Sequence, residues 1–105
     1  KMTKRYRTGR LAARTTLLKG KRHGKYESWY ENGSKDAVET YKNDKRHGPS
    51  TMWHENGVRW VKTTYREGQK HGAYKRWSED GNLEMHCVFE LGEPTQSITG
   101  FCTSN

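Results

Sequence analysis

One segment predicts the fold because its key residues recur every 24 positions: His47-Gly48-Pro49-Ser50-Thr51-Met52-Trp53-His54-Glu55-Asn56-Gly57. The aligned residues are His23, His47 and His71; Trp29, Trp53 and Trp77; Glu31, Glu55 and Glu79; Asn32-Gly33, Asn56-Gly57 and Asp80-Gly81; and Tyr41, Tyr65 and Phe89. One period held over most of a 105-residue chain predicts a repeat architecture, in which each unit packs against its neighbours.

The composition fits a thin, aromatic core within one domain or a fragment of one. Leu, Ile, Val and Phe together number 12 of 105 residues, and the net charge is +8, which alone would indicate disorder. Four tryptophans and six tyrosines supply the apolar area instead, since one aromatic side chain buries roughly 150–250 Å².

Each unit is predicted to form a β-hairpin. Short segments rich in Val, Thr, Trp and Tyr suit strands; they cover 25–30, 49–54 and 73–78, and then 35–41, 59–65 and 83–89. The Asn-Gly and Asp-Gly pairs between them are strong hairpin signals, because both residues tolerate positive φ. Period-two alternation places the tryptophans on one face and Tyr26 and Tyr74 on the other. The predicted fold class is all-β: a single elongated, twisted antiparallel sheet of successive β-hairpins, forming an open solenoid.

The repeat domain is predicted to cover residues 1–94, with full repeats at 23–46, 47–70 and 71–94. Residues 1–22 read as a degenerate first repeat that caps the stack, or alternatively as a flexible basic tail. The segment 95–105 is not repeat-like, and its Ile98, Phe101 and Cys102 could fold back as a cap or serve a partner. We expect these residues to define the repeat: Gly24, Trp29, Gly33, Tyr41, Gly48, Trp53, Gly57, Tyr65, Gly72, Trp77, Gly81 and Phe89.

The order Gly-x-x-His-Gly, aromatic residue, Asn-Gly and Tyr-x-x-Gly resembles the MORN repeat (membrane occupation and recognition nexus). It looks most like the variant found in bacterial YwqK-type antitoxin proteins and in proteins of large DNA viruses. The resemblance covers residues 20–94 well and 5–19 poorly. The chain departs from the standard pattern in lacking Gly-x-Gly after His and in carrying Asp44 at a linker glycine position. The resemblance implies an elongated antiparallel sheet with no chemistry of its own.

The recurring histidines and glutamates do not predict a catalytic or metal site. Successive hairpins advance by about 10 Å, whereas ligands of one zinc ion lie about 2 Å from it, so repeat-related histidines cannot share an ion. We expect turn histidines whose rings hydrogen-bond the backbone, while His54 and His86 depart from their repeats and read as surface residues. Glu31, Glu55 and Glu79 fail the spacing of paired catalytic carboxylates. The sequence predicts a protein that is not an enzyme, without catalytic, cofactor-binding or metal-binding residues.

Positive charge is concentrated near the N-terminus. Residues 1–26 hold ten Lys and Arg and no acid, whereas 27–105 hold ten basic and twelve acidic residues. Such a run can attract anionic phospholipid, although salt screens a merely solvated basic face within about 8 Å. The absence of a nucleic-acid-binding signature argues against nucleic acid as the partner. The possible anionic-ligand patch comprises Lys4, Arg5, Arg7, Arg10, Arg14, Lys19, Lys21, Arg22 and Lys25.

Cys87 and Cys102 provide no disulfide framework, which favours reduced cysteines and an intracellular, cytoplasmic protein. No apolar run approaches the roughly 20 residues that span a membrane. An open sheet has edge strands that favour self-association, and the apolar last unit predicts a homodimer. The expected contact residues are Leu83, Met85, Cys87, Phe89, Ile98, Phe101 and Cys102.

These features together predict a non-catalytic repeat scaffold that mediates protein–protein interaction and self-association, with an unidentified protein partner. Two alternatives stay open. One is an antitoxin-like protein that neutralises a toxin by direct binding, and the other is binding of anionic phospholipid through the basic N-terminal repeat.

Overall fold

The computed structural model describes residues 2–102, which fold into one antiparallel sheet with its strands in sequence order. The strands are β1 (Met2–Arg5), β2 (Leu11–Leu18), β3 (Lys21–Trp29), β4 (Lys35–Lys42), β5 (Lys45–Trp53), β6 (Arg59–Arg66), β7 (Gln69–Trp77), β8 (Leu83–Glu90) and β9 (Glu93–Thr99). The described part of the molecule measures 42 × 35 × 16 Å, and its smallest dimension is about the thickness of a single sheet with its side chains. The predicted all-β fold, an open antiparallel sheet of successive hairpins, is confirmed.

The strands extend beyond the predicted segments because the His-Gly pairs lie inside them. Strands β3, β5 and β7 begin at Lys21, Lys45 and Gln69, four residues before the predicted starts. The register between β2 and β3 jumps from Thr15–Tyr26 to Leu17–Arg22, so β3 bulges there. Gly24 has a φ of 91°, which a glycine adopts without steric penalty, and it still pairs with Tyr41 on the other side. The His-Gly pairs therefore mark β-bulges and not turns.

Two kinds of turn alternate along the chain. The pairs 19–20, 43–44, 67–68 and 91–92 have positive φ at both residues and form tight two-residue turns between repeats. The loop of the Asn-Gly signal is longer and has positive φ at the glycine, as at Gly33 (89°), but not at Asn32. Asn32 acts through its side chain, whose Oδ1 accepts a hydrogen bond from the Ser34 N–H at 2.9 Å. The predicted turn position is correct, although the asparagine does not adopt the positive φ that it tolerates.

Cross-strand pairing defines the two faces of the sheet. One row of directly opposite residues crosses β2 to β8 and marks what we call the tyrosine face: Thr15, Tyr26, Glu39, Ser50, Thr63, Tyr74 and Cys87. The neighbouring row marks the tryptophan face: Arg14, Glu27, Val38, Thr51, Lys62, Lys75 and His86. Trp29, Trp53 and Trp77 share one register position, opposite Lys35, Arg59 and Leu83. Tyr26 and Tyr74 lie on the opposite face from Trp29, as their alternation predicted.

The core lies along the tyrosine-face row and is one side chain deep. Val61, Tyr74, Cys87 and Phe89 form its apolar cluster, against which Met52, Met85 and Cys102 pack. Polar residues continue the buried row toward the N-terminus, with Glu39 and Thr63 each 4% exposed. A single sheet can bury this row because aromatic rings and long basic side chains lie beside it on the same face, as Arg46 does over the Tyr65 ring at 5.1 Å.

Candidate binding surfaces

Hydrogen bonds between equivalent residues join each repeat to the next. The hydroxyls of Tyr6 and Tyr30 donate to the carbonyl oxygens of Trp29 and Trp53, each at 2.6 Å. His54 occupies the same repeat position, and its Nε2 donates to the Trp77 carbonyl at 2.8 Å. His54 was expected to depart from its repeat without a visible partner, but it makes the same bond as the two tyrosines. The 24-residue alignment with Tyr6 and Tyr30 was the signal that could have assigned it.

The repeated histidines are also structural. Nδ1 of His47 and of His71 accepts a hydrogen bond from the N–H of Glu67 and of Leu91, each at 3.2 Å. These bonds confirm the expectation for His47 and His71, whereas Nδ1 of His23 is buried without a hydrogen-bond partner among the described residues. Among residues 2–102, no three His, Cys, Asp or Glu side chains are grouped as metal ligands would be.

On the tryptophan face, the first full repeat is held together by Glu27. Its carboxylate lies 3.0 Å from Arg14 Nη2, 3.1 Å from Lys35 Nζ and 3.9 Å from Lys25 Nζ. The hydrogen bonds from Arg14 and Lys35 lower the pKa of Glu27 below its ordinary value. The Arg14 guanidinium and the Lys35 ammonium also lie over the Trp29 ring, 5.5 and 5.3 Å from its centre. This carboxylate therefore neutralises cations from three strands.

The same row is not neutralised in the later repeats. Thr51 and Lys75 occupy the positions equivalent to Glu27, 24 and 48 residues on. Lys62 lies directly opposite Lys75, which lies directly opposite His86. Within the described range 2–102, no carboxylate oxygen comes within 4.0 Å of either ammonium. Lys62, Lys75, Pro49, Thr64 and Ala73 line a shallow cavity of about 280 Å³ beside this pair.

On the tyrosine face, a ladder of cations lies over the aromatic rings. Arg22 lies 4.5 Å from the centre of the Tyr41 ring, and Arg46 lies 5.1 Å from that of Tyr65. Lys70 continues the ladder over Phe89 at 5.1 Å. Burial lowers the pKa of Lys70, and the positive charges of Arg46 and Arg76 lower it further.

The N-terminal end of the tyrosine face holds a groove of about 390 Å³ between β1, β2 and β3. Met2, Ala13, Leu17 and Tyr26 provide its apolar walls, and Lys4, Arg22, Asp44 and Thr15 provide polar groups. The Thr15 hydroxyl is buried and has no hydrogen-bond partner among the described residues. Sequence reasoning missed this groove, although Leu17 at a tyrosine position was its visible signal.

The predicted basic patch is not one surface. Lys4 and Arg22 lie on the tyrosine face, paired with Ala13 and Leu17, whereas Arg14 and Lys25 lie on the tryptophan face, paired with Glu27 and Thr40. Three of these cations already contact acids: Arg14 and Lys25 contact Glu27, and Arg22 lies 3.3 Å from Asp44. Alternation along a strand thus divides the residues of the possible patch between the two faces, and binding of an anionic ligand by them stays a prediction.

The C-terminal residues fold back onto the tyrosine face and are fixed there by a disulfide between Cys87 and Cys102, whose Cα atoms lie 6.3 Å apart. Gly100 permits the return: its φ is 77°, and a Cβ there would lie 2.5 Å from the Glu84 carbonyl oxygen. The prediction of reduced cysteines was therefore wrong. Since disulfides persist in oxidising compartments, the cysteines no longer support a cytoplasmic location, which stays a prediction. No helix within residues 2–102 is suited to crossing a membrane.

The disulfide also changes the predicted homodimer contact. Cys87 is fully buried and Phe89 is 3% exposed, so neither can touch a partner, while Met85 and Cys102 pack against the core. Leu83, Ile98 and Phe101 are 41%, 53% and 83% exposed and remain available. The dimer itself stays a prediction.

Sequence comparison agrees with this repeat geometry. The sequence model of the family described as MORN repeat variant matches residues 22–43, 46–67 and 70–90. These ranges include β4, β6 and β8 with the Asn-Gly and Asp-Gly turns that precede them, and the turns between repeats fall at their ends. No protein with a curated description matches the chain.

Proposed function

This chain belongs to the MORN repeat variant family, and from that premise we propose that it is a non-catalytic scaffold that binds an acidic protein partner. The binding surface is the tryptophan face of the second and third full repeats. MORN repeats are generally associated with protein or membrane-lipid interaction, and the family is generally non-enzymatic.

The observation that carries this proposal is the direct opposition of Lys62 and Lys75 on adjacent strands. Cβ atoms of such pairs lie about 4.5–5.5 Å apart, where like charges repel and destabilise the sheet. His86 extends the row by one strand. The fold itself gains nothing from this arrangement, but a partner carboxylate placed over it would relieve the repulsion.

The first full repeat supplies a template for the bound state. There a carboxylate, that of Glu27, lies in the row and contacts Arg14 on one adjacent strand and Lys35 on the other. An acidic segment of a partner would provide the same group at Lys75. Trp77, which lies under Arg59 at 5.2 Å, adds aromatic area beside the row, and Trp, Tyr and Arg are the residues that most often dominate protein interfaces.

The distribution of charge supports a protein partner over a membrane. A membrane surface favours one broad basic face, whereas the basic residues of the first 25 positions are divided between the two faces and partly paired with acids. The uncompensated row is instead narrow and crosses three strands, β6 to β8.

The test compares the wild-type protein with Lys75→Glu. Each is used to capture proteins from an extract, and a protein retained by the wild type is then purified and titrated directly. We expect Lys75→Glu to weaken the measured affinity at least about tenfold, because truncating or reversing a central charge typically costs 1–3 kcal/mol or more. Lys42→Glu, an exposed charge at the end of β4, is the matched control and should bind as the wild type does.

Unfolding cannot imitate this result, because Lys75→Glu places a carboxylate opposite Lys62 and should raise the free energy of unfolding by roughly 0.5 kcal/mol. Equal affinity of the wild type and Lys75→Glu for the purified protein would contradict the proposal. So would sedimentation with phosphatidylserine vesicles that Lys75→Glu abolishes, because that result assigns the row to a lipid.

A further inference from the structure

The groove at the N-terminal end of the tyrosine face has the size and lining of a small-molecule site. Its volume of about 390 Å³ falls within the range of roughly 300–1,000 Å³ that is usual for ligand pockets. Apolar walls from Met2, Leu17 and Tyr26 surround a few polar groups. This combination is the usual composition of such pockets.

The groove exists because an aromatic pair is missing. In the first and third full repeats, two rings fill the equivalent space: Tyr26 packs on Tyr41 with ring centres 6.0 Å apart, and Tyr74 packs on Phe89 at 5.7 Å. The residues 24 positions before Tyr26 and Tyr41 are Met2 and Leu17. Both remain substantially exposed, at 45% and 37%. The degenerate first repeat thus lacks ring area that the other repeats contain.

The first full repeat also has a carboxylate in this place, where the second and third full repeats have Thr63 and Cys87. Glu39 is 4% exposed, accepts a hydrogen bond from the Tyr41 hydroxyl at 3.0 Å and lies 3.4 Å from Arg46 Nε. The equivalent of Glu39 in the first repeat is Thr15, and the equivalent of Arg46 is Arg22. Arg22 lies opposite Leu17, as Arg46 lies opposite Tyr41. The degenerate repeat therefore has the cation, Arg22, but lacks the ring of Tyr41 and the carboxylate of Glu39.

Thr15 shows that this position is not satisfied within the fold. Its Oγ1 is buried without a hydrogen-bond partner in the described structure. At the equivalent position of the second full repeat, Thr63 Oγ1 donates to the Ala73 carbonyl at 3.1 Å. A buried polar group without a partner is unfavourable and points to a group that is supplied from outside.

We propose that this groove binds a small aromatic carboxylate, which replaces the ring of Tyr41 and the carboxylate of Glu39 in the degenerate repeat. The ring lies between Met2, Leu17 and Tyr26. The carboxylate accepts hydrogen bonds from the Thr15 hydroxyl and the Arg22 guanidinium. Thr15 becomes accessible once the long side chains that cover it rotate.

The charges of the groove select a monoanion. Arg22 is already shared with Asp44, whose Oδ1 accepts from its backbone N–H at 2.7 Å and from its Nε at 3.3 Å. Lys4 also lines the groove and has no carboxylate within 4.0 Å in the part of the chain that the structure describes. Arg14 also lines the groove but is paired with Glu27, so the site holds one positive charge more than these acids neutralise.

The experiment titrates the full chain at fixed ionic strength and follows the methyl NMR signals of Met2, Thr15 and Leu17. Benzoate and phenylacetate are the probes, benzyl alcohol is the matched ring without charge, and acetate is the matched charge without a ring. We expect the aromatic carboxylates to shift these signals with an affinity at least about tenfold higher than either control, since each control lacks one half of the interaction. Equal binding of benzoate and acetate, or of benzoate and benzyl alcohol, would overturn the proposal.

Two variants locate the site. Leu17→Tyr restores the ring of the other repeats and fills the groove, so it should abolish benzoate binding. Thr15→Val removes the hydroxyl at constant shape and should weaken binding about tenfold, whereas Thr63→Val, the same change on β6, should leave it unchanged. Unaltered benzoate affinity in both Leu17→Tyr and Thr15→Val contradicts the assignment. Protection of the Leu17 methyl that grows with protein concentration alone would assign the groove to a second copy of the chain.

Discussion

At the N-terminal end of the tyrosine face, Met2 and Leu17 leave a groove open, while at the C-terminal end Tyr74 and Phe89 pack together and Cys102 is fixed over Cys87. The strands that carry these residues pair in the same way at both ends: Met2 pairs with Thr15 as Tyr74 pairs with Cys87. The backbone repeat therefore does not decide which end is open. Side chains at equivalent positions decide it.

On the tryptophan face, equivalent positions also differ in their side chains, and here the difference is one of charge. In the first full repeat Glu27 neutralises the cations around it, and in the third Lys75 stands in its place, opposite Lys62. A repeat protein can thus keep one backbone and change the charge of its surface wherever a stabilising residue has been replaced.

Removing the disulfide at the C-terminal end should have the largest effect on stability. The disulfide joins residues 15 positions apart, and a closed loop of that length contributes about 3 kcal/mol in the chain-entropy estimate. Cys102→Ser should lower the free energy of unfolding by about that amount, measured by urea denaturation. The wild type in excess dithiothreitol is the control and should show the same loss. No change in either sample would mean that the tail does not hold the C-terminal end closed.

Closing the open end should have the opposite effect. Leu17→Tyr supplies the ring that Tyr41 and Tyr65 provide in the next repeats, and we expect a gain in the free energy of unfolding of about 1–1.5 kcal/mol. Leu18→Tyr is the matched control, because Leu18 is 53% exposed and lies on the other face. A higher free energy of unfolding for both variants, or for neither, would show that the groove does not result from a missing ring.

The charged row gives a smaller, pH-dependent effect. The folded pKa of Glu27 is below its ordinary value of 4.5, so its contribution to stability is present above pH 4.5 and is lost as the pH falls through the folded pKa. Glu27→Gln should therefore lower the free energy of unfolding by about 1 kcal/mol at pH 7. The difference from the wild type should shrink below pH 4. Glu79→Gln, at an exposed turn, is the matched control and should leave the free energy of unfolding at pH 7 unchanged. A Glu27→Gln difference that persists at pH 3 would rule out the ion pairs as its cause.

The 24-residue period was sufficient to predict the strand order and the hairpins, because a repeated pattern leaves each unit one neighbour on each side. Alternation also correctly placed Tyr26 and Tyr74 on the other face of the sheet from Trp29. The His-Gly bulges were missed, since a glycine with positive φ is expected in turns more often than within a strand.

The binding surfaces were much less predictable than the fold. The total charge of residues 1–26 suggested one basic patch, but the two faces divide it, and Glu27 and Asp44 neutralise part of it. The disulfide depends on the return of the chain at Gly100, which no local pattern encodes. The differences among Thr15, Glu39 and Thr63 were visible in the aligned repeats, but they acquire meaning only once their neighbours are known.

The most direct test of the account applies one substitution to two equivalent positions, Thr15→Val and Thr63→Val, and measures both by urea denaturation. Thr15→Val removes a buried hydroxyl without a partner and should raise the free energy of unfolding by roughly 0.5–1 kcal/mol. Thr63→Val breaks the bond to the Ala73 carbonyl and should lower it by a similar amount. Opposite signs are the predicted result. Equal changes of the same sign would contradict the claim that equivalent positions differ in function because their partners differ.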